Sequence, residues 1–273
     1  DSEQGITPLT LAALEGVEST DSVAIDRFVA LQEEALSAMA ASDTGLTPER
    51  LAALDGVETF SELSQDRTEV LQDLAFSAMA ESETGITAES LAAVGGAENI
   101  DDLETEKLAS LQQMALSAMA ESDTGITADS LAELADVESF DRLASDDRES
   151  LQRMALSAMA SSDTITDEHI VAISGMNSLE EISEQELDSL RSLTLSAMAD
   201  SETGLDSSLI QTFIGNASLE KVSFAGGEIS DADLDKIPSL SRVHDLDLSR
   251  CKNITDAGLS RLANSSNLET LRV

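Results

Sequence analysis

Apolar and polar positions along this chain return with a long period. The segment ALSAMA at 35–40 recurs as AFSAMA at 75–80, as ALSAMA at 115–120 and 155–160, and as TLSAMA at 194–199. Met39, Met79, Met119, Met159 and Met198 follow one another at 40, 40, 40 and 39 residues. The last step is one short because SDTGIT at 122–127 becomes SDTIT at 162–166. Gly5, Gly45, Gly85, Gly125 and Gly204 keep the same step. Five copies in register mark a repeat architecture, in which each 40-residue repeat is too thin to cover its own apolar side and does so against the next.

Residues 45–84 show the elements of one repeat. Thr47-Pro48-Glu49 predicts a helix start: Thr as N-cap, Pro in the first turn, an acid near the positive end. Leu51 and Leu54 share a face, and Asp55-Gly56 ends the helix. The same start occurs at Thr7-Pro8 and, with Ala for Pro, at Thr87 and Thr127. Residues 57–63 predict a short helical turn or an extended link. A second helix is predicted at about 66–80, where Leu71, Leu74, Ala75, Ala78 and Met79 follow the spacing of a buried stripe. Ser183 and Glu186 form a capping box ahead of its counterpart in the fifth repeat. Two or three short helices per 40 residues match the armadillo and HEAT solenoids in length and helix count.

From about residue 217 the period changes. Leu219-xx-Val222-x-Phe224, Val243-xx-Leu246-x-Leu248 and Leu268-xx-Leu271-x-Val273 share an LxxLxL frame, with starts 24 and 25 residues apart. Residues 245–273 resemble the cysteine-containing leucine-rich repeat at Leu246, Leu248, Cys251, Ile254, Thr255, Gly258, Leu259, Leu262 and Leu268. Such repeats occur in F-box-type substrate receptors and in bacterial proteins with ITDAGL runs. The resemblance implies short parallel strands at LxxLxL, a turn closed by Cys251, Ile254 and Leu259 in the core, and a helix on the outer side. It says almost nothing about function.

The upstream repeats also thread onto this frame. Leu151-xx-Met154-x-Leu156-xx-Met159 aligns with Val243-xx-Leu246-x-Leu248-xx-Cys251, and Ile165-Thr166-Asp167 with Ile254-Thr255-Asp256. Against strands there stand the scarcity of β-branched residues and the charge of Glu34 at an inward position. The expected fold is therefore a repeat solenoid, with five mainly helical repeats over 1–204 running into an α/β leucine-rich-repeat segment over 205–273. The alternative is an α/β leucine-rich-repeat solenoid throughout.

Composition narrows the function. Fifty-four acidic and 15 basic residues give a net charge of -39. Such a surface repels phosphate backbones and anionic membranes, so no nucleic-acid partner is expected. The scarcity of Lys fits a salt-adapted or marine microbial source, with attraction to basic partners or divalent cations as the second reading. Aromatics make up 2%, so the core must be built from Leu, Ala, Ile, Val and Met. No apolar run approaches the ~20 residues that span a bilayer. The single Cys251 leaves the redox compartment unread, cytoplasmic or secreted alike. A start at Asp1 without Met and an end in mid-pattern at Val273 suggest a piece of something longer.

No catalytic, cofactor-binding or metal-binding residue is assigned. His169 and His244 lie 75 residues apart and read as surface histidines. Cys251 reads as structural, with no His beside it to activate a thiolate. No nucleophile elbow and no phosphate loop occurs. Asp43, Glu83, Asp123, Asp163 and Glu202 recur in step, and a column of carboxylates could hold Ca²⁺ or Mg²⁺. No spaced D-x-D-x-D-G array accompanies them, so a solvated acidic edge is the plainer reading. The Met column reads as core. Gln72-Asp73, Gln112-Gln113 and Gln152-Arg153 read as outward positions that vary between repeats. The expectation is a non-catalytic protein-interaction or scaffolding module. The alternative is the substrate-recognition arm of an enzyme complex, F-box-like receptor or bacterial effector, with catalysis elsewhere.

Overall fold

The computed structural model describes residues 6–19, 22–42, 45–82, 84–162, 165–200, 221–224, 229–234, 243–263 and 267–273. The chain forms two compact units, residues 1–143 and 144–273.

In the N-terminal unit each repeat pairs a short helix with a long one. The elements are α1 (Pro8–Leu14) and α2 (Ile25–Ala40), α3 (Pro48–Asp55) and α4 (Gln65–Ala80), α5 (Ala88–Val94) and α6 (Thr105–Glu121), then α7 (Ala128–Leu134). Single 3₁₀ turns at Phe60–Glu62, Ile100–Asp102 and Phe140–Arg142 follow α3, α5 and α7. Long helices pack side by side in chain order, α2 on α4 and α4 on α6. Short helices form a second row, α1 on α3, α3 on α5 and α5 on α7. The core between the rows is Leu, Ala and Met, with Met39, Met79 and Met119 all buried. Unbranched Met fills the irregular gaps between successive layers.

Local chemistry sets the boundaries. The hydroxyls of Thr7, Thr47, Thr87 and Thr127 accept the amides of Thr10, Arg50, Ser90 and Ser130, satisfying an orphan donor at each short helix. Thr10, Ser90 and Ser130 return the bond to the capping residue's amide at 2.7–2.9 Å, a job usually done by Glu or Gln. At the other end of the long helices, the Ser42, Ser82 and Ser122 hydroxyls donate to the Met39, Met79 and Met119 carbonyls at 2.7, 2.8 and 2.8 Å.

A buried polar seam joins one repeat to the next. Gln72 Nε2 donates to the Val94 carbonyl at 3.0 Å, and Gln112 Nε2 to the Leu134 carbonyl at 3.4 Å. Val94 and Leu134 close α5 and α7, where helix carbonyls lack internal partners. Helices α4 and α6 thus each cap the short helix of the following repeat. These glutamines are therefore internal, not the outward variable positions their sequence context suggests; Gln72 is buried. Gln32 departs from the pattern. Its Oε1 accepts Arg67 Nη2 at 3.3 Å, and its Nε2 has no partner.

The basic residues extend the seam. Residues 1–141 contain four, Arg27, Arg50, Arg67 and Lys107, and all four bind their own chain. Arg27 holds Glu15 at 2.8 Å and Arg67 holds Asp55 at 2.6 Å. In the third repeat Gly95 replaces the acid, and Lys107 Nζ donates instead to the Gly95 carbonyl at 2.6 Å. A cation at a helix C-terminus also complements the macrodipole. Arg50 donates to the Gly45 carbonyl and to Ser42 Oγ.

The C-terminal unit begins with α8 (Ser145–Ser162), α9 (Asp167–Ser174) and α10 (Glu184–Asp200). Helix α8 packs on α10, with Met159 and Met198 buried. Gln152 repeats the clamp, donating to the Ile173 carbonyl at 3.1 Å. Three strands follow, β1 (Lys221–Ser223), β2 (Asp245–Asp247) and β3 (Thr270–Arg272), parallel in chain order with Val222, Leu246 and Leu271 in register. Short helices at Asp231–Leu234 and Asp256–Leu262 lie between them in the chain.

The expected α/β architecture is corrected. The chain is mainly helical, and its described strands are three residues each. The described residues do not form an α/β leucine-rich-repeat solenoid, as was expected over 205–273 or, in the alternative, throughout. Residues 151–156, threaded above as a strand, lie inside α8. The physical reason is composition: Leu, Ala, Met, Gln and Glu are the strongest helix formers, and strands of three residues form few ladder bonds. Ile254 and Leu259, expected in the core, are only half-buried, and Leu271 and Val273 are exposed. Glu34 is exposed on α2, so no charge is buried there. Residues 205–220, 225–228, 235–242 and 264–266 of the expected segment lie outside the described residues.

Two substitutions test this account. Gln72→Ala leaves a buried carbonyl at the end of α5 without its donor, so urea unfolding should show a loss of about 1–3 kcal/mol. Asp73→Ala, one residue on and exposed, should stay within about 0.5 kcal/mol of the parent. Asp136 sits left-handed, φ 54, where the other repeats place Gly16, Gly56 and Gly96 at φ 73, 83 and 76. That conformation costs a side chain roughly 1–2 kcal/mol, against about 0.4–1 for the added freedom of Gly when unfolded. Asp136→Gly should therefore stabilise the protein by about 0.5–1 kcal/mol in the same assay.

Candidate interaction surface

The residues singled out for chemistry are dispersed. His169 is the third residue of α9, and its Nδ1 accepts the Thr166 amide at 3.1 Å, so it caps a helix. His244 is half-buried beside β2, and its carbonyl accepts the Glu269 and Thr270 amides. The Cys251 thiol donates to the Phe224 carbonyl at 2.9 Å, closing the turn after β2 against the chain that follows β1. Of the acidic column only Asp123 is described, and it is exposed; Asp43, Glu83, Asp163 and Glu202 lie outside the described residues. Among the described residues no group of three or more His, Cys, Asp or Glu is placed to hold a metal ion. No described helix is long and apolar enough to cross a membrane.

A groove of about 750 Å³ lies between α4 and α6. Thr68, Val70 and Asp73 line it from α4, and Lys107, Ser110 and Met114 from α6. The seam forms its base, since Gln72 and Leu111 reach the lining while buried. Val70 is 40% exposed there. At 40-residue spacing its counterparts are Ala30, Ser110 and Ser150, so this repeat alone puts a branched apolar side chain at that outward position. Glu69 and Asp73 stand beside it, both exposed. The groove's cation is turned inward: Lys107 Nζ is bonded to the Gly95 carbonyl and lies 5.9 Å from the centre of the Phe60 ring. An apolar anchor with acidic flanks and a cation tied to its own chain can take up an apolar, positively charged segment. A smaller hollow of about 250 Å³ lies at the loops, between Ser42, Gly45, Thr84 and Glu89.

Acidic crowding also marks the titration behaviour. Desolvation and the neighbouring Asp129 carboxylate hold Glu133 above the usual carboxylate range. Two other carboxylates are put to structural use. Ser249 donates to Asp247 at 2.9 Å and holds it below the usual range. Asp231 accepts the Thr255 hydroxyl at 2.5 Å and the Thr255 amide at 2.8 Å, which lowers its pKa. This carboxylate bonds the residue that caps helix Asp256–Leu262, so it ties two turns of the chain together. Gly258 is required opposite it, because a Cβ there would lie 2.2 Å from Asp231 Oδ1. Sequence reading missed Asp231, whose partner lies 24 residues away.

A depressed carboxylate stabilises the folded state above its unfolded pKa, and the contribution is lost as pH falls through the folded value. Asp231→Asn should therefore lower Tm at neutral pH, with the gap to the parent closing below about pH 4. Melting curves across pH, followed by circular dichroism, read this directly.

Compared with known proteins, the chain matches no family model, no curated protein and no solved structure, so its own geometry carries the functional reading.

Proposed function

We propose that this chain is a non-catalytic protein-interaction scaffold, and that the groove between α4 and α6 seats a basic segment of a partner protein. Val70 carries the reading: it is exposed in the groove at a position where the other repeats hold Ala or Ser. Repeat arrays present extended surfaces whose outward positions differ while the core recurs. The net charge of -39 favours a cationic partner and speeds its approach. A non-catalytic role is supported by the engagement of His169 and Cys251 in backbone hydrogen bonds.

Panning a random-peptide display library on the full chain is the test. It should enrich peptides that set Lys or Arg beside an apolar anchor. Their binding should weaken about tenfold or more on Val70→Asp, and should fall as salt rises from about 0.05 to 0.5 M. Peptides that bind the Val70→Asp variant equally well, or no enrichment at all, would count against the reading.

A further inference from the structure

Most polar side chains lining the α4–α6 groove are bonded within their own chain. Gln65 Nε2 donates to Glu69 at 3.0 Å, and the Thr68 hydroxyl donates to the Ser64 carbonyl at 3.0 Å. Gln72 Nε2 is held by the Val94 carbonyl and Lys107 Nζ by the Gly95 carbonyl. An extended segment laid in the groove would bring a row of amides and carbonyls and meet few groups open to receive them. A helix brings its backbone already paired.

The two walls differ in charge. The acids come from α4, as Glu69 and Asp73, and α6 lines the groove with Lys107, Ser110, Leu111 and Met114. Glu69 and Asp73 are both exposed. They stand one turn apart, about 6 Å along the axis, with Val70 between them. In α2 the same two positions hold Val29 and Glu33, and in α6 Ala109 and Gln113. In α8 they hold Glu149 and Arg153, which pair with each other at 2.7 Å. Of these helices, α4 alone sets two acids around an exposed branched apolar side chain. Space is made beside them by Thr68, which stands where α2 has Phe28 and α6 has Leu108. From Gln65 to Asp73 the wall runs about 12 Å, or roughly two helical turns.

We infer that the occupant of this groove is an amphipathic α-helix of a partner protein lying along α4. Its apolar stripe rests on Val70 and Met114, and Lys or Arg at i and i+4 face Glu69 and Asp73. The inference rests on the reading of the groove as a seat for a basic segment, and adds that segment's conformation and spacing. A helix beside a helix advances by the same rise per residue, so basic side chains one turn apart meet acids one turn apart. A second copy of this chain is disfavoured as occupant, since its acidic helices would repel the α4 wall.

The test uses the full chain and two peptides of about 16 residues. One is stapled as a helix and carries a Leu stripe bordered by Lys at i and i+4. The other has the same stripe and charge, no staple, and a central proline at an outward position. Fluorescence anisotropy should show the stapled peptide binding about tenfold or more tighter than the proline peptide. Its binding should weaken about tenfold on Asp73→Lys, and exchange of one or other Lys of the pair for Glu should restore it. Asp73 is exposed, and circular dichroism should show unchanged melting for Asp73→Lys. A proline peptide that binds as tightly as the stapled one, and still weakens on Val70→Asp, would overturn the helical occupant and leave the groove reading standing. Stapled binding indifferent to Asp73→Lys would overturn the proposed pairing. Absence of binding by either peptide, or binding indifferent to Val70→Asp, would overturn the inference together with the reading beneath it.

Discussion

The interaction on which the rest depends is the bond by which a long helix closes the end of the short helix after it, Gln72 on α5, Gln112 on α7 and Gln152 on α9. A seven-residue helix such as α5 cannot hold itself together in water. It persists because α3, α6 and α7 pack on it and α4 supplies the Gln72 amide to its last carbonyl. The contact is apolar over most of its extent and polar at one point. The apolar part supplies the driving force and tolerates sliding. The polar part tolerates none, because a buried carbonyl without a donor costs more than the bond itself contributes. Leu-Gln in adjacent positions therefore sets both the strength and the register of the stack.

That constraint shapes the use of charge. A chain with 54 acids could have spread its 15 bases over the surface to offset repulsion. Residues 1–141 hold four of them, on α2, α3, α4 and α6, and the head groups of Arg27, Arg67 and Lys107 reach the ends of short helices while that of Arg50 reaches the Gly45 turn, where they bind acids, carbonyls and a hydroxyl. The outer faces stay acidic. Solubility and attraction for cationic partners then arise from the same surface, while cohesion is left to the buried Leu, Ala and Met core and to the Gln72 and Gln152 bonds, which water and salt reach poorly. Change at outward positions meets few structural constraints, and there the repeats differ most, as at Val70.

Much of the fold was legible in the repeat. The 40-residue step, the Thr caps, the helix ends at Gly56 and the buried Met column all follow from residue type and spacing, because each rests on contacts within a few residues or on strict recurrence. The seam glutamines were misread. Spacing marked them as recurrent, but polarity alone suggested water, and the carbonyl that Gln72 meets is 22 residues away. The α/β reading failed similarly. The LxxLxL frame is a pattern of apolar spacing that a helix can also satisfy, and helix propensity decided the outcome at 151–156.

By itself, the sequence determined the period, the caps and the acidic character, since these are properties of neighbours and of sums. Tertiary structure alone decided which polar residues turn inward, which apolar ones remain in water, and where α4 and α6 leave a groove. Those outcomes depend on which surfaces meet across tens of residues. A residue's own chemistry states what it needs, such as a donor, an acceptor or cover from water. Only the packed chain says whether a neighbour is there to meet the need.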